Sequence, residues 1–327
     1  MRVAIVGAGA VGGVLAHALT AAGADPTLVA RGATAAAIRR DGLRVVRGAK
    51  REVSHPRVIE TTRAAGVHDV VIGTLKAHDW AGAVPLFAPL IGPSTIVVPA
   101  INGVPWWYFQ GIGGPRDGTA LVSVDPSGAL RAAFPAQSLV GGVVYVAASR
   151  PTPGTLDWSG GKRLVLGEIA GPNGARVAAL ADLLRGCGLD IDVASDIRAA
   201  MWLKLMGNAS FNPLSVLALA TMDQLLEDPA LRAICVDVMG EILALAAATG
   251  ADPAVGIEAR IAMMSSMVGV RTSTLQDFEA GRSLEVAALV EAPCEIGRLS
   301  GVATPVLETL GRLLRNAEAR RDAARGP

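Results

Sequence analysis

Three residues on one helical segment have the types and the spacing for proton chemistry. In Trp202-Leu203-Lys204-Leu205-Met206-Gly207-Asn208-Ala209-Ser210-Phe211-Asn212-Pro213, Lys204, Asn208 and Asn212 follow one another at intervals of four within a mostly apolar run. At about 100° per residue a step of four drifts by only about 40°, so all three project from nearly one face. An ammonium in apolar surroundings is costly unless paired, and burial pulls its pKa down. Lysine is also scarce: Lys50, Lys76, Lys162 and Lys204 are the only ones among 30 basic residues. A chain that otherwise uses arginine, yet keeps this lysine, points to a proton that must be able to leave. The competing reading is an amphipathic helix whose polar stripe faces water.

The elements that must position these residues fall into two halves. Val3 to Val6, Pro26 to Ala30, Val70 to Thr74 and Thr95 to Pro99 are short β-rich apolar runs, and Val11 to Ala22 between the first two is helical, closed by Gly23 and Pro26. This alternation predicts a parallel sheet with helices on both faces. Leu43 to Val46 and Val53 to Ile59, around Gly48, suggest a small hairpin. Leu139 to Ala147 and Arg163 to Leu166 suggest antiparallel strands separated by the Pro/Gly-rich stretch Pro151 to Gly161. Gly111 to Ala129 reads as a long surface loop. After Asp196 every segment is helical: Ile197 to Leu219, Pro229 to Thr249, Pro253 to Met267, Thr274 to Ala280, Leu284 to Leu299 and Pro305 to Arg321. A domain boundary is expected near Ser195, giving residues 1–195 and 196–327, with a frayed, solvated tail from Glu318.

Gly7-Ala8-Gly9-Ala10-Val11-Gly12 is a G-x-G-x-x-G directly after a strand and opening a helix. In that context it is a dinucleotide-binding signature. Gly7 permits the tight turn, Gly9 lets the backbone approach a pyrophosphate, and Gly12 allows close helix–strand packing. Ala10 and Val11 lie at the helix N-terminus, whose free N–H groups and partial positive charge suit phosphate. At the end of the second strand, an NAD site usually places an acid for the ribose 2′-hydroxyl. Here Thr27-Leu28-Val29-Ala30 is followed by Arg31, with no acid until Asp41. Arginine there suits a 2′-phosphate, so NADPH is the expected cofactor.

Composition excludes several other classes. The 327 residues carry a formal charge of +1 with the basic residues scattered, which gives no footprint for nucleic acid. No apolar run reaches the ~18 residues needed to span a bilayer. The start turns to glycine too soon for a signal-peptide core. Cys187, Cys235 and Cys294 are far apart and odd in number, and His17, His55, His68 and His78 form no ligand pair. The expectation is reduced packing cysteines, no metal site and a cytoplasmic location. A homodimer is allowed but nothing in the residues selects it.

With the glycine loop, Arg31, Lys76, Asn102-Gly103 and the Lys204 ladder all in order, the chain resembles the ketopantoate reductase (2-dehydropantoate 2-reductase) family over nearly its whole length. The resemblance implies an α/β fold, a Rossmann-like N-terminal domain joined to an all-helical C-terminal one, with substrate in the cleft between them. It implies NADPH-dependent reduction of a 2-keto acid, 2-dehydropantoate to pantoate. By the same likeness Lys204 is the catalytic lysine and Glu285, in Gly281-Arg282-Ser283-Leu284-Glu285-Val286, the essential glutamate. Asn208 and Asn212 are substrate-side amides, and Ser273 holds the substrate carboxylate. Lys76 and Asn102 match cofactor-side and active-site positions. The chemistry is coherent: hydride reaching a ketone carbon leaves charge on oxygen, which an ammonium can stabilise and protonate. A nearby carboxylate would keep the lysine charged at rest.

Each has a local alternative. Ser273 with Gln276 fits a helix capping box, Glu285 could favour a helix N-terminus, Lys76 could be an ordinary strand-end charge, and Asn102-Gly103 an ordinary turn. The chain also departs from the family. Val270 stands where an asparagine often precedes the serine, and Ile101 where a glutamine often precedes Asn102. Val104-Pro105-Trp106-Trp107-Tyr108-Phe109 is an aromatic cluster that either packs under the long loop or forms a bulky lid. Two other functions therefore stand beside the first: a paralogue reducing a different ketone or imine, and a non-catalytic NADPH sensor. The sensor would be expected to lose Lys204 or Glu285.

Overall fold

The computed structural model describes residues 1–325, which form two compact units. The first comprises Met1–Ile101, Phe109–Ala120 and Ser127–Ile197. Its first sheet has five parallel strands in the order β5-β2-β1-β6-β7: β1 Val3–Val6, β2 Thr27–Val29, β5 Arg57–Ile59, β6 Val70–Gly73 and β7 Ile96–Pro99. The flanking helices are α1 (Ala10–Ala21), α2 (Gly32–Asp41) and α3 (Trp80–Phe87), with a short α4 (Ala129–Ala133). Strands β1, β6 and β7 are buried along their length, as expected for apolar runs covered on both faces. This is a Rossmann-like sheet with β1 at its centre, where the strand order reverses.

A second sheet, not expected from the sequence as a separate layer, runs β10-β9-β3-β4 with β8 paired to β9. It consists of β3 (Leu43–Arg47), β4 (Lys50–Ser54), β8 (Val140–Ser149), β9 (Thr155–Glu168) and β10 (Asp190–Val193), with α5 (Ala175–Gly186) before the last strand. The β3–β4 hairpin forms about Gly48, but its second arm is Lys50–Ser54, and residues 57–59 leave it to become the edge of the parallel sheet. Charged Lys50 and Arg51 hid the start of β4, because an exposed edge strand tolerates charge. Likewise β9 starts at Thr155, inside the Pro/Gly-rich stretch, and pairs antiparallel with β8.

The second unit comprises Asn102–Tyr108, Leu121–Pro126 and the residues from Arg198 on. It contains most of α6 (Ile197–Ala218), then α7 (Met222–Glu227), α8 (Pro229–Ala248), α9 (Ile257–Ser265), α10 (Ser273–Glu279), α11 (Ala292–Ser300) and α12 (Pro305–Arg325). Residues Ala287–Glu291 form a π-helical turn leading into α11. The described residues after Val193 hold no strand, and none of the described helices is long and apolar enough to cross a membrane. Burial raises the Cys235 and Cys294 thiols to about 12 and about 11, so neither is reactive near neutrality.

Of the tail expected to be frayed and solvated from Glu318, the described residues are mostly exposed but remain helical, α12 continuing to Arg325; Gly326 and Pro327 lie outside the described residues. The Arg321 side chain donates to the carbonyls of Phe278 and Arg282, and Arg325 to that of Glu279. Arginines on the last turns thus satisfy carbonyls at the end of α10 and in the turn that follows, which holds an otherwise polar helix in place.

Candidate functional site

In the first unit the glycine loop leaves β1 and enters α1. Gly7 has φ 113°, a conformation that favours glycine. A Cβ on Gly12 would lie 1.9 Å from the Gly7 carbonyl oxygen and 2.5 Å from Thr74 Oγ1, so only hydrogen fits there. The Thr74 hydroxyl, just past β6, donates to the Gly7 carbonyl at 2.8 Å and pins the loop. Apart from Gly9 and its two chain neighbours, no described heavy atom lies within 4 Å of a Cβ built on Gly9. The first turn of α1, Ala10-Val11-Gly12, carries no acid and no side-chain cap. A helix N-terminus left unneutralised beside open space fits a pyrophosphate.

Arg31 is exposed at the N-cap of α2. Two neighbours of this corner were not singled out in the sequence. Glu60, just after β5, accepts from the Gly32 amide at 3.2 Å and pairs with Arg39 at 2.6 Å. That hydrogen bond from Arg39, and the Gly32 amide, hold its carboxyl below the usual range. Arg150 donates to the Ala8 carbonyl at 3.1 Å and to Thr34 Oγ1 at 3.3 Å. The signal for Glu60 was an acid ending a strand next to β2 in the sheet, a neighbour that only strand order reveals. Lys76 lies beyond β6, half-buried, at the start of a 3₁₀ turn.

In the second unit, Lys204 Nζ donates to Asn102 Oδ1 at 2.5 Å. Asn102 is brought there by its neighbour. Gly103 has φ 81°, and a Cβ on it would lie 2.5 Å from the backbone of Ala288. The Val104 amide donates to the Ala288 carbonyl at 2.8 Å. The Asn102-Gly103 turn therefore docks on the π-helical turn that directly follows Glu285 and Val286. Such turns interrupt the regular ladder and recur at functional sites. The amide of Leu284, beside Glu285, is held by Glu318 Oε1 at 2.7 Å. Lys204 is half-buried. Desolvation lowers its pKa from 10.5 to about 8, with Glu285 opposing the fall and Arg260 adding to it.

The polar stripe of α6 continues through half-buried Asn208 and buried Asn212 (6% exposed). Its far end includes Ser215, eleven residues beyond Lys204 and so again on that face. Ser215 Oγ and Thr272 Oγ1 are 2.6 Å apart, which ties α6 to the start of α10. Thr272, not Ser273, is the N-cap of α10: its hydroxyl accepts from the Leu275 amide at 3.1 Å. The capping-box reading of Ser273 with Gln276 was one residue out of phase, since Gln276 donates instead to the Arg271 carbonyl. Ser273 is left exposed beside the cap, and Val270 is 40% exposed.

The aromatic cluster packs inward. Trp106, Trp107, Tyr108 and Phe109 are all buried. Trp202 Nε1, on α6, donates to the Tyr108 hydroxyl, which donates to Thr249 Oγ1, both at 2.7 Å. Arg198 donates to the Tyr108 carbonyl at 2.7 Å. Tyr108 thus clamps the start of α6 to the C-terminus of α8, and the lid alternative falls away.

One charged neighbour of Lys204 was missed. Arg260, on α9, is only 7% exposed, and Ile261 and Met264 share its buried face. A Cβ on Gly207 would lie 2.6 Å from one of its terminal nitrogens and 3.3 Å from Cζ. Its signal in the sequence was an arginine in phase with the apolar positions of an amphipathic helix, where a lysine or glutamate would normally face out.

Comparison with known proteins gives a consistent result. The family described as ketopantoate reductase PanE/ApbA matches residues 3–110, and its C-terminal counterpart matches residues 196–318. A 2-dehydropantoate 2-reductase of Mesorhizobium japonicum is 40% identical over 98% of this chain and 99% of its own length. A solved chain from Ralstonia solanacearum MolK2 is also 40% identical and superposes with a TM-score of 0.92 over 98% of each chain. A 2-dehydropantoate 2-reductase structure from Geobacter metallireducens GS-15, 28% identical, reaches 0.85 over 97% of this chain and all of its own.

Proposed function

The chain belongs to the ketopantoate reductase family, and on that premise we propose that it reduces 2-dehydropantoate to pantoate at the expense of NADPH, with Lys204 as proton donor. The observation that carries this reading is the Lys204 ammonium, held by Asn102 in a desolvated setting that makes its proton available near neutrality. Gly7, Gly9, Gly12 and the amides at Ala10 and Val11 would hold the pyrophosphate, and Arg31 the 2′-phosphate. When bound, the reduced nicotinamide supplies a hydride to the ketone carbon. As negative charge gathers on the carbonyl oxygen, Lys204 hydrogen-bonds it and transfers a proton to it, leaving a hydroxyl and a neutral amine. Asn102 fixes the direction of Nζ. Glu285 favours the ammonium and so helps the amine regain its proton. Asn208, Asn212 and Ser273 are assigned to the substrate's polar groups. NADPH oxidation followed across 2-dehydropantoate and other 2-keto acids tests the reading: 2-dehydropantoate should give the highest kcat/KM, and another keto acid exceeding it would make the chain a paralogue with a different substrate.

The pH dependence has a definite sign. Reduction needs the ammonium, so kcat should fall as pH rises through about 8, while oxidation of pantoate needs the free amine and should rise through the same value. A reductive profile flat from about pH 7 to about pH 9.5 would remove Lys204 as the proton donor.

Cofactor choice has its own test. Glu60 is engaged by Arg39 and the Gly32 amide, and Arg31 and Arg150 bring positive charge to the α2 corner. Arg31→Ala should therefore weaken NADPH about ten- to a hundredfold and leave NADH nearly unchanged, the loss of one charge-assisted phosphate contact. Equal losses for both cofactors would assign Arg31 no role at the 2′ position.

A further inference from the structure

A 2-keto acid presents two oxygen-rich groups side by side: a ketone that must receive a proton, and a carboxylate that must be held without receiving one. The two tasks call for different cations. Lysine can surrender its proton, whereas guanidinium stays charged and matches a carboxylate with two parallel N–H donors. Around α6 the second unit supplies one of each. Lys204 lies on the face that also carries Gly207 and Asn208, three and four residues further on. The Arg260 guanidinium rests against Gly207 at a distance that only a glycine allows. Its charge is felt at Lys204, as is that of Glu285. A substrate carboxylate beside these two cations would be favoured by both charges.

We propose that Arg260 supplies the charged contact to the 2-keto acid's carboxylate, in addition to the neutral one that the family resemblance gives Ser273, while Lys204 addresses its ketone oxygen. Gly207 belongs to the same device, because its missing side chain is the space in which the guanidinium lies. The inference rests on the reading of this site as that of a 2-keto acid reductase. It assigns Arg260 to specificity: the enzyme should discriminate a keto acid from the same ketone bearing an uncharged carboxamide, and that discrimination should reside in KM.

The experiment compares 2-dehydropantoate with its carboxamide in the wild type, Arg260→Met, Arg260→Lys and Gly207→Ala, with NADPH affinity measured by quenching of its fluorescence. The wild type should favour the acid over the amide. In Arg260→Met the KM for the acid should rise about 10- to 100-fold, the KM for the amide should stay within about twofold, and NADPH affinity should be unchanged. Arg260→Lys should recover part of the loss, since it keeps the charge without the paired donors. Gly207→Ala leaves the arginine in the sequence but displaces its guanidinium, so it reports even if Arg260→Met does not fold. A KM that rises equally for acid and amide, or does not rise, in any folded variant of Arg260 overturns the proposal. So does a pure shift of the pH–rate profile at constant KM, which would make Arg260 only a neighbour that tunes Lys204. A wild type that reduces no 2-keto acid at all overturns the functional reading itself, and the Arg260 contact with it; a wild type active on the acid confines any failure to Arg260.

Discussion

Lys204→Ala should lower kcat by about 10²–10⁴ and leave NADPH binding nearly intact. The expected split follows from where the two functions are assigned. The glycine loop and Arg31 belong to the first unit, whereas Lys204, Asn102 and Glu285 belong to the second. An interaction that strengthens only as charge develops on oxygen appears in turnover rather than in ground-state affinity. Lys204→Arg should not rescue the rate, because guanidinium keeps the charge but holds its proton near neutrality. Glu285→Ala should also lower kcat, by taking away the charge that favours the ammonium. The double variant should lose less than the product of the two single losses, since residues acting as a unit are not additive. Stopped-flow single turnovers, which separate chemistry from product release, are the measurement. A Lys204→Ala enzyme with near-normal turnover would return the stripe on α6 to an ordinary polar helix face.

The second large effect is a contrast between two glycines of one loop. Gly12→Ala would drive a Cβ to 1.9 Å from a backbone carbonyl oxygen, and no rotamer can relieve a clash with backbone. It should destabilise the protein without cofactor by about 3 kcal/mol, roughly 6–12 °C in Tm for a unit of this size, and should abolish tight dinucleotide binding. Gly9 is different. Its φ of −75° is accessible to alanine, and open space surrounds its Cβ position. Gly9→Ala should therefore leave Tm unchanged and weaken NADPH about tenfold or more, because the methyl group would occupy the path of the pyrophosphate. Differential scanning calorimetry with and without NADPH, alongside direct binding, checks both. A Gly12→Ala protein as stable as the wild type would refute the packing role. Unchanged NADPH affinity in Gly9→Ala would put the pyrophosphate elsewhere.

Much of this was legible one segment at a time. The apolar runs of β1, β6 and β7 announced strands buried on both faces, and the spacing of Lys204, Asn208 and Asn212 announced one face of a helix. Elements whose signal depends on partners were not legible in this way. β4 begins with charged residues that only an exposed edge accommodates. Strand β5 joins the parallel sheet, not the hairpin beside it in sequence. The end of α12 is ordered because Arg321 and Arg325 find carbonyls at the end of α10 and just beyond it. The N-cap of α10 fell on Thr272, whose hydroxyl also meets that of Ser215, a neighbour 57 residues away.

The sequence by itself determined the chemistry on offer: a glycine loop opening a helix, a basic residue at the end of the second strand, and a lysine in an apolar helix. These are local properties, written in residue type and in the 2.0 and 3.6 periodicities of the backbone. Tertiary structure alone decided how those groups are tuned and which others join them. It grouped Asn102–Tyr108 with the helices that follow residue 197, because Gly103 fits against Ala288 where no other residue could. It brought the Arg260 guanidinium to Gly207 and buried Lys204 far enough to bring its pKa to about 8. Desolvation and Coulomb coupling depend on distances between residues remote in the chain, and those distances exist only once the helices have packed.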